Sequence, residues 1–294
     1  MSNKRDGLAR SIQVKLSRHA QAIGVDPNLV MTRFAVERFL YRLSISPHAE
    51  RFLLKGALLM LAWLGDTLRP TRDADLLGFG DLEDDDLRRI FIDICAIEAG
   101  NDAMIFLADT LRVEPIRAED AYGGRRVTLL ATLGAARLRV QVDVGIGDAV
   151  VPPPAWLDYP GLIDGLPQPH LRAYQPATVV AEKLHAIVLL GMRNSRMKDY
   201  FDLRALAASE VRPDEQTLAA AIAATFTRRA TTISEDLPSG LSDEFASDSG
   251  KLTQWTAYLG KNRLEAPTLD ETVVEVRRFV AAPLAAARRK MGAA

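Results

Sequence analysis

Residues 125–145, RRVTLLATLGAARLRVQVDVG, constrain the fold most, because their apolar side chains recur every second position rather than every third or fourth. Two such runs meet at Gly134-Ala135, so the segment reads as a β-hairpin. On its second run Leu138, Val140, Val142 and Val144 form an apolar face, and Arg137, Arg139, Gln141 and Asp143 form the other. That polar face is either solvated or a site.

Helical patterns enclose the hairpin. Ile12, Leu16, Ala20 and Ile23 keep helical spacing up to Gly24, and Asp26-Pro27 opens a second helix. A third helix is expected over residues 49–64, a short strand over residues 73–78, and a helix over residues 87–99 behind the acidic run that starts at Asp81. The Pro- and Gly-rich stretch from Pro152 to Pro176 reads as a connecting loop. From Thr178 to Lys290 the chain is helical, apart from a surface loop expected over residues 236–250. The layout is α+β. It divides into residues 1–172, N-terminal helices plus a small mixed sheet, and residues 173–294, an α-helical half.

The 294 residues carry 37 Lys and Arg against 38 Asp and Glu, so any surface for nucleic acid has to be a local patch. A single cysteine, Cys95, excludes an internal disulfide framework and fits a reducing compartment; within IFIDICAI it reads as core. No apolar run is long enough to span a bilayer, and the first residues lack a signal-peptide core, so the expected location is cytoplasmic, with no membrane partner.

Chemistry enters at RPTRDADLLGFGD. Asp73 and Asp75 are two apart on a strand, so both point to one face. Two carboxylates so close repel unless a positive charge stands between them, and a divalent cation such as Mg²⁺ suits that place. The competing reading is a pair of aspartates beside a loop in water. A third strand aspartate, Asp143, would complete a site of the two-metal phosphoryl-transfer type. In TVVAEKLHAIVLLG, Lys183 falls in the middle of the apolar stripe with Val179, Val180, Ile187 and Leu190, so it needs an anionic partner. A nucleoside triphosphate is one candidate. Asp199 of SRMKDYFDL, on the inward arc with Leu203 and Leu206, is the other. Lys198 and Asp202, four apart, read as a helix-surface pair, and His185 reads as a surface residue. His19, His48, His170 and His185 show no metal-ligand spacing.

In this order the motifs resemble the AbiEii family of nucleotidyltransferase toxins, which includes the MenT group. The resemblance runs from YRLSISPHAERFLLKGALLMLAW through RPTRDADLLGFGD, the hairpin and VVAEKLHAI to NSRMKDYFDL, over roughly residues 10–260. It implies a DNA-polymerase-β-type nucleotidyltransferase core whose active-site cleft is completed by the helical half. It also implies Mg²⁺-dependent use of an NTP, an RNA acceptor such as the 3′ end of tRNA, and an AbiEi-like antitoxin partner. Carried over by residue, Asp73, Asp75 and Asp143 would be the metal carboxylates, with Lys183 completing the catalytic group. Lys55, Gly56, Thr71, Arg72, Lys183, Lys198, Asp199 and Asp202 would contact the nucleotide. Where the wider superfamily has Gly-Ser at the first turn, this chain has Ala57, so Lys55 or backbone N–H groups must take the place of the hydroxyl contact.

The leading reading is transfer of NMP to tRNA or another structured RNA, blocking translation. Nucleotidylation of a partner protein and a non-catalytic nucleotide-binding regulator are the alternatives. Arg112, Arg117, Arg125, Arg126, Arg137 and Arg139 around the hairpin, with Arg193 and Arg196 before the last motif, are candidates for tracking phosphates. Thr71 is a candidate control point, because a phosphate there would add about two negative charges beside Asp73.

Overall fold

The computed structural model describes residues 2–65, 71–116 and 123–292, so Arg117 lies outside the described residues. The chain divides into two units: residues 1–147 with 155–173, and residues 148–154 with 174–294.

The first unit is built on a seven-stranded mixed sheet in the order β3-β4-β5-β2-β1-β7-β6. Its strands are β1 (Phe52–Lys55), β2 (Asp73–Gly78), β3 (Met104–Pro115), β4 (Gly124–Leu133), β5 (Ala136–Ile146), β6 (Ala155–Asp158) and β7 (His170–Ala173). The hairpin is β4–β5, turning where Leu133 pairs with Ala136, and Gly134 (φ 57°) supplies the left-handed residue of its turn. Strand β2 lies antiparallel to β1 and parallel to β5, which places it at the centre.

Leu54, Ala74, Leu76, Val140, Val142 and Val144 are fully buried on one face of the sheet. The helices of this unit are α1 (Ser2–Ala22), α2 (Pro27–Ser44), α3 (Ala57–Leu64) and α4 (Asp84–Ala96). Asp26 caps α2 by accepting the Asn28 N–H at 2.8 Å, and Pro27 occupies the first turn, where its missing N–H costs nothing. From α2, buried Arg42 reaches Asp102 through two hydrogen bonds (2.7 and 3.2 Å), which fixes the segment leading into β3. The acidic run Asp84 to Asp86 is the first turn of α4, where carboxylates favour the positive end of the helix.

Residues 49–64 differ from the expected single helix. A 3₁₀ turn (Ala49–Arg51) leads into β1, and only Ala57–Leu64 is α-helical. Phe52, Leu53 and Leu54 are all buried, so β1 is covered on both faces as well as paired on both edges, and such a strand shows no alternation. Within the expected Pro/Gly connection lie β6 and β7, and the latter adds β6 to the sheet edge.

The second unit is helical: α5 (Pro176–Leu190), α6 (Met197–Ala207), α7 (Glu215–Arg228), α8 (Asp243–Ser247), α9 (Ser249–Asn262) and α10 (Leu269–Gly292). The loop expected over residues 236–250 contains α8 and the start of α9. Its Ser and Asp are caps: Ser242 accepts the Phe245 N–H at 3.1 Å and Asp248 the Lys251 N–H at 2.9 Å. His185 is 2 % exposed rather than at the surface. Helix α5 is buried almost all round, so pointing away from Lys183 still means pointing into protein. His185 Nε2 lies 2.9 Å from Thr231 Oγ1, and Arg229 donates to His185 Nδ1 at 3.2 Å. Burial and the Arg229 charge push its pKa down to about 4.

Candidate active site

The central strand brings the expected carboxylates together. Asp75 of β2 is registered with Lys55 of β1 on one side and Asp143 of β5 on the other, and Asp73 is registered with Gln141. At a strand spacing of roughly 4.8 Å, two unit charges repel by about 3 kcal/mol at an effective dielectric near 20. Strand β4 answers part of that repulsion. Arg126 forks onto Asp143, its Nε donating to Oδ1 at 2.8 Å and its Nη2 to Oδ2 at 2.7 Å. Burial, and then the Asp143 charge, raise the Asp73 carboxyl above its usual range, against the lowering charges of Arg126, Arg139 and Arg72.

Gly56 closes the site from the other side. It follows Lys55 at φ 73°, in the left-handed region, and it is the N-cap of α3. A Cβ there would stand 2.0 Å from Asp75 Oδ2, so the turn presses on the carboxylate with room for no side chain. The adjoining first turn of α3 offers N–H groups, a favourable setting for phosphate oxygens. Thr71 is buried and its hydroxyl lies 3.4 Å from the Asp73 carbonyl, whereas Arg72 is exposed. A kinase would therefore have to act on a buried hydroxyl to use Thr71 as a control point.

Oxygen-only donors suit a hard cation such as Mg²⁺. Among the described residues, no group of three or more His, Cys, Asp or Glu side chains is placed to hold an ion. Asp143 is bonded to Arg126, and Asp73 and Asp75 add two carboxylates whose chemistry fits such an ion.

Strand register sorts the hairpin arginines. Arg126 is registered with Asp143, Thr128 with Gln141 and with Arg112, and Arg137 and Arg139 continue the two-residue spacing of Gln141 and Asp143 on β5. Arg112, Arg126, Arg137 and Arg139 thus share the carboxylate face. Arg125 faces the other way and is bonded to Asp84.

In the second unit, Lys183 meets the carboxylate expected of it and one more. Its Nζ donates to Asp199 Oδ1 (3.1 Å) and Asp202 Oδ2 (2.6 Å), joining α5 to α6. Arg196 Nε donates to Asp199 Oδ2 at 2.7 Å. Asp199 and Asp202 are fully buried, so Asp202 does not lie at the helix surface as expected, whereas Lys198 is exposed. Burial raises the Asp199 carboxyl, but the charges of Lys183, Arg196 and Lys198 outweigh it and hold the group below its usual range.

The family model for the nucleotidyl transferase AbiEii toxin of type IV toxin–antitoxin systems matches residues 38–281. The chain belongs to the AbiEii family. Its match takes in β1, the Asp73/Asp75 strand, the hairpin and the Lys183 and Asp199 helices. MenT4, a nucleotidyltransferase toxin from Mycobacterium tuberculosis, is similar to this AbiEii chain at 16% identity and a TM-score of 0.60, over 96% of this chain and 97% of that one. At such identity the likeness speaks for the fold: a nucleotidyltransferase sheet with flanking helices and a helical C-terminal part. JHP933 from Helicobacter pylori matches at 14% identity and a TM-score of 0.47, over 87% of this chain and 90% of that one. No curated protein matches. No helix among the described residues is long and apolar enough to cross a membrane.

Sequence reasoning missed Arg126 as the partner of Asp143. The signal was present, because counting back from the Gly134-Ala135 turn places the two opposite each other.

Proposed function

We propose that this AbiEii chain transfers an NMP from an NTP to the 3′ end of tRNA or a similar structured RNA in the cytoplasm, and so blocks translation. An AbiEi-like antitoxin would restrain it. The observation that supports the reading best is the Asp73/Asp75 pair on a central strand, with Gly56 pressed against Asp75 and four arginines on the same sheet face.

In this reading the RNA 3′-hydroxyl attacks the α-phosphorus of the NTP. A phosphodiester forms, the bond from the α-phosphorus to the bridging oxygen breaks, and pyrophosphate leaves. Asp73 and Asp75 would hold Mg²⁺. When bound, the ion neutralises charge building on the phosphate oxygens. Asp143, poised by Arg126, would take the hydroxyl proton, and Lys55, Arg72 and the first turn of α3 would hold the triphosphate. The nucleotide role of Lys183, Lys198, Asp199 and Asp202 is part of the same proposal. Lys183, Arg196 and Lys198 gather around the two buried aspartates, and Lys198 is exposed towards an incoming anion.

Incubating the purified protein with labelled NTPs, Mg²⁺, total tRNA and cell extract tests the proposal. Label on RNA supports it. Label on a protein band favours nucleotidylation of a partner protein, and label on neither favours a non-catalytic regulator.

A further inference from the structure

The carboxylate face of the sheet does not end at β1. Leu54 is registered with Ala173 of β7, and Ala173 with Ala155 of β6, so those three side chains share the face opposite Asp75. One residue along each strand, Arg172 and Trp156 are registered with one another on the face of Lys55 and Asp75. Trp156 is 58% exposed at the sheet edge. An exposed ring alone means little. This one is held flat: the His170 ring stacks on it at 4.8 Å and 2°, and His170 Nδ1 is in turn 2.7 Å from Asp158 Oδ1. The Arg172 side chain has no hydrogen-bond or ion-pair partner among the described residues.

We propose that Trp156, on its His170 backing, is a stacking platform for a base of the single-stranded acceptor RNA, with Arg172 meeting the neighbouring phosphate. A stacked, half-exposed aromatic ring beside a cation on one sheet face is a pattern that binders of single-stranded nucleic acid use. Three strand spacings separate β6 from β2, which places the platform roughly 15 Å from Asp75. That is the length of about two to four nucleotides, from extended to stacked spacing. The platform therefore suits a base a few positions before the reacting 3′ end. It would add affinity without base identity, because every base has a stacking face. The inference rests on the RNA-transfer reading above.

The test is equilibrium binding of a short 5′-labelled single-stranded RNA to the full-length protein, with KM for tRNA measured in parallel. Trp156→Ala is expected to weaken RNA binding and raise the RNA KM by about ten-fold, with NTP affinity unchanged and Trp156→Phe restoring most of the effect. Arg172→Ala is expected to weaken binding and lower the salt slope by about one, and it carries the test should Trp156→Ala disturb the β6–β7 pairing. Wild-type transfer to RNA with an unchanged RNA KM in both variants would overturn the platform and leave the transfer reading standing. A wild type that neither binds nor labels RNA would overturn both.

Discussion

At the residue scale, the site is held by charges that restrain one another. Asp75→Ala is expected to reduce nucleotide transfer by more than roughly 100-fold, because even partners of metal ligands commonly cost 10- to 100-fold. Asp73 carries a raised pKa, so its sign runs against the fold. In the pH window above its ordinary 3.8 the folded state holds the proton that the unfolded state has lost, and stability falls as pH rises through that window. Asp73→Asn should therefore keep or raise the melting temperature at neutral pH while abolishing transfer, as melting curves and a turnover assay on one preparation would show. Gly56→Ala should lose both, since its Cβ would displace the Asp75 carboxylate and its backbone sits in the left-handed region, a strain of about 1 kcal/mol or more. Full activity in Gly56→Ala would contradict the placement of that turn.

At the scale of elements, α5 and α6 are tied through Lys183. From the sequence, the apolar stripe around Lys183 required an anionic partner and left an NTP and Asp199 as candidates. The structure supplies two buried carboxylates, so Lys183→Ala is expected to destabilise the protein by about 3–5 kcal/mol even without nucleotide, measured by urea unfolding. Because Asp199 is held below its usual range, its contribution is present above pH 3.8 and lost as pH falls through the lower, folded-state value. His185 acts at milder acidity. Its folded pKa of about 4 lies below the ordinary 6.5, so stability should decline as pH falls from 6.5 towards 4, and His185→Gln should flatten that slope. Legibility followed burial. Strand β2 could be read because its polar face stays partly open, and Lys183 and Asp199 could be read because a charge on an apolar arc is conspicuous. Strand β1 could not, since its three consecutive apolar residues, all buried, have no period. Asp202 and His185 could not either, because both sit on helices buried nearly all round, where spacing no longer separates inside from outside.

At the scale of the whole molecule, a net charge of −1 hides an arginine-rich sheet face, and register rather than composition reveals it. Arg196 is committed to Asp199, so it is no longer a clean probe of RNA contact. Exposed Arg193 is. Charge reversal at Arg193 should raise the RNA KM and flatten its salt dependence, because each lost phosphate contact lowers the slope by about one. The proposed function has the Asp73/Asp75 face add nucleotides to an RNA end. Its most direct measurement is sequencing of tRNA 3′ ends after incubation of the purified protein with tRNA, Mg²⁺ and each NTP in turn, beside the Asp75→Ala protein. The expected result is extra nucleotides at the 3′ end with the wild type and none with Asp75→Ala; unchanged ends with every NTP, or equal extension by both proteins, would contradict it.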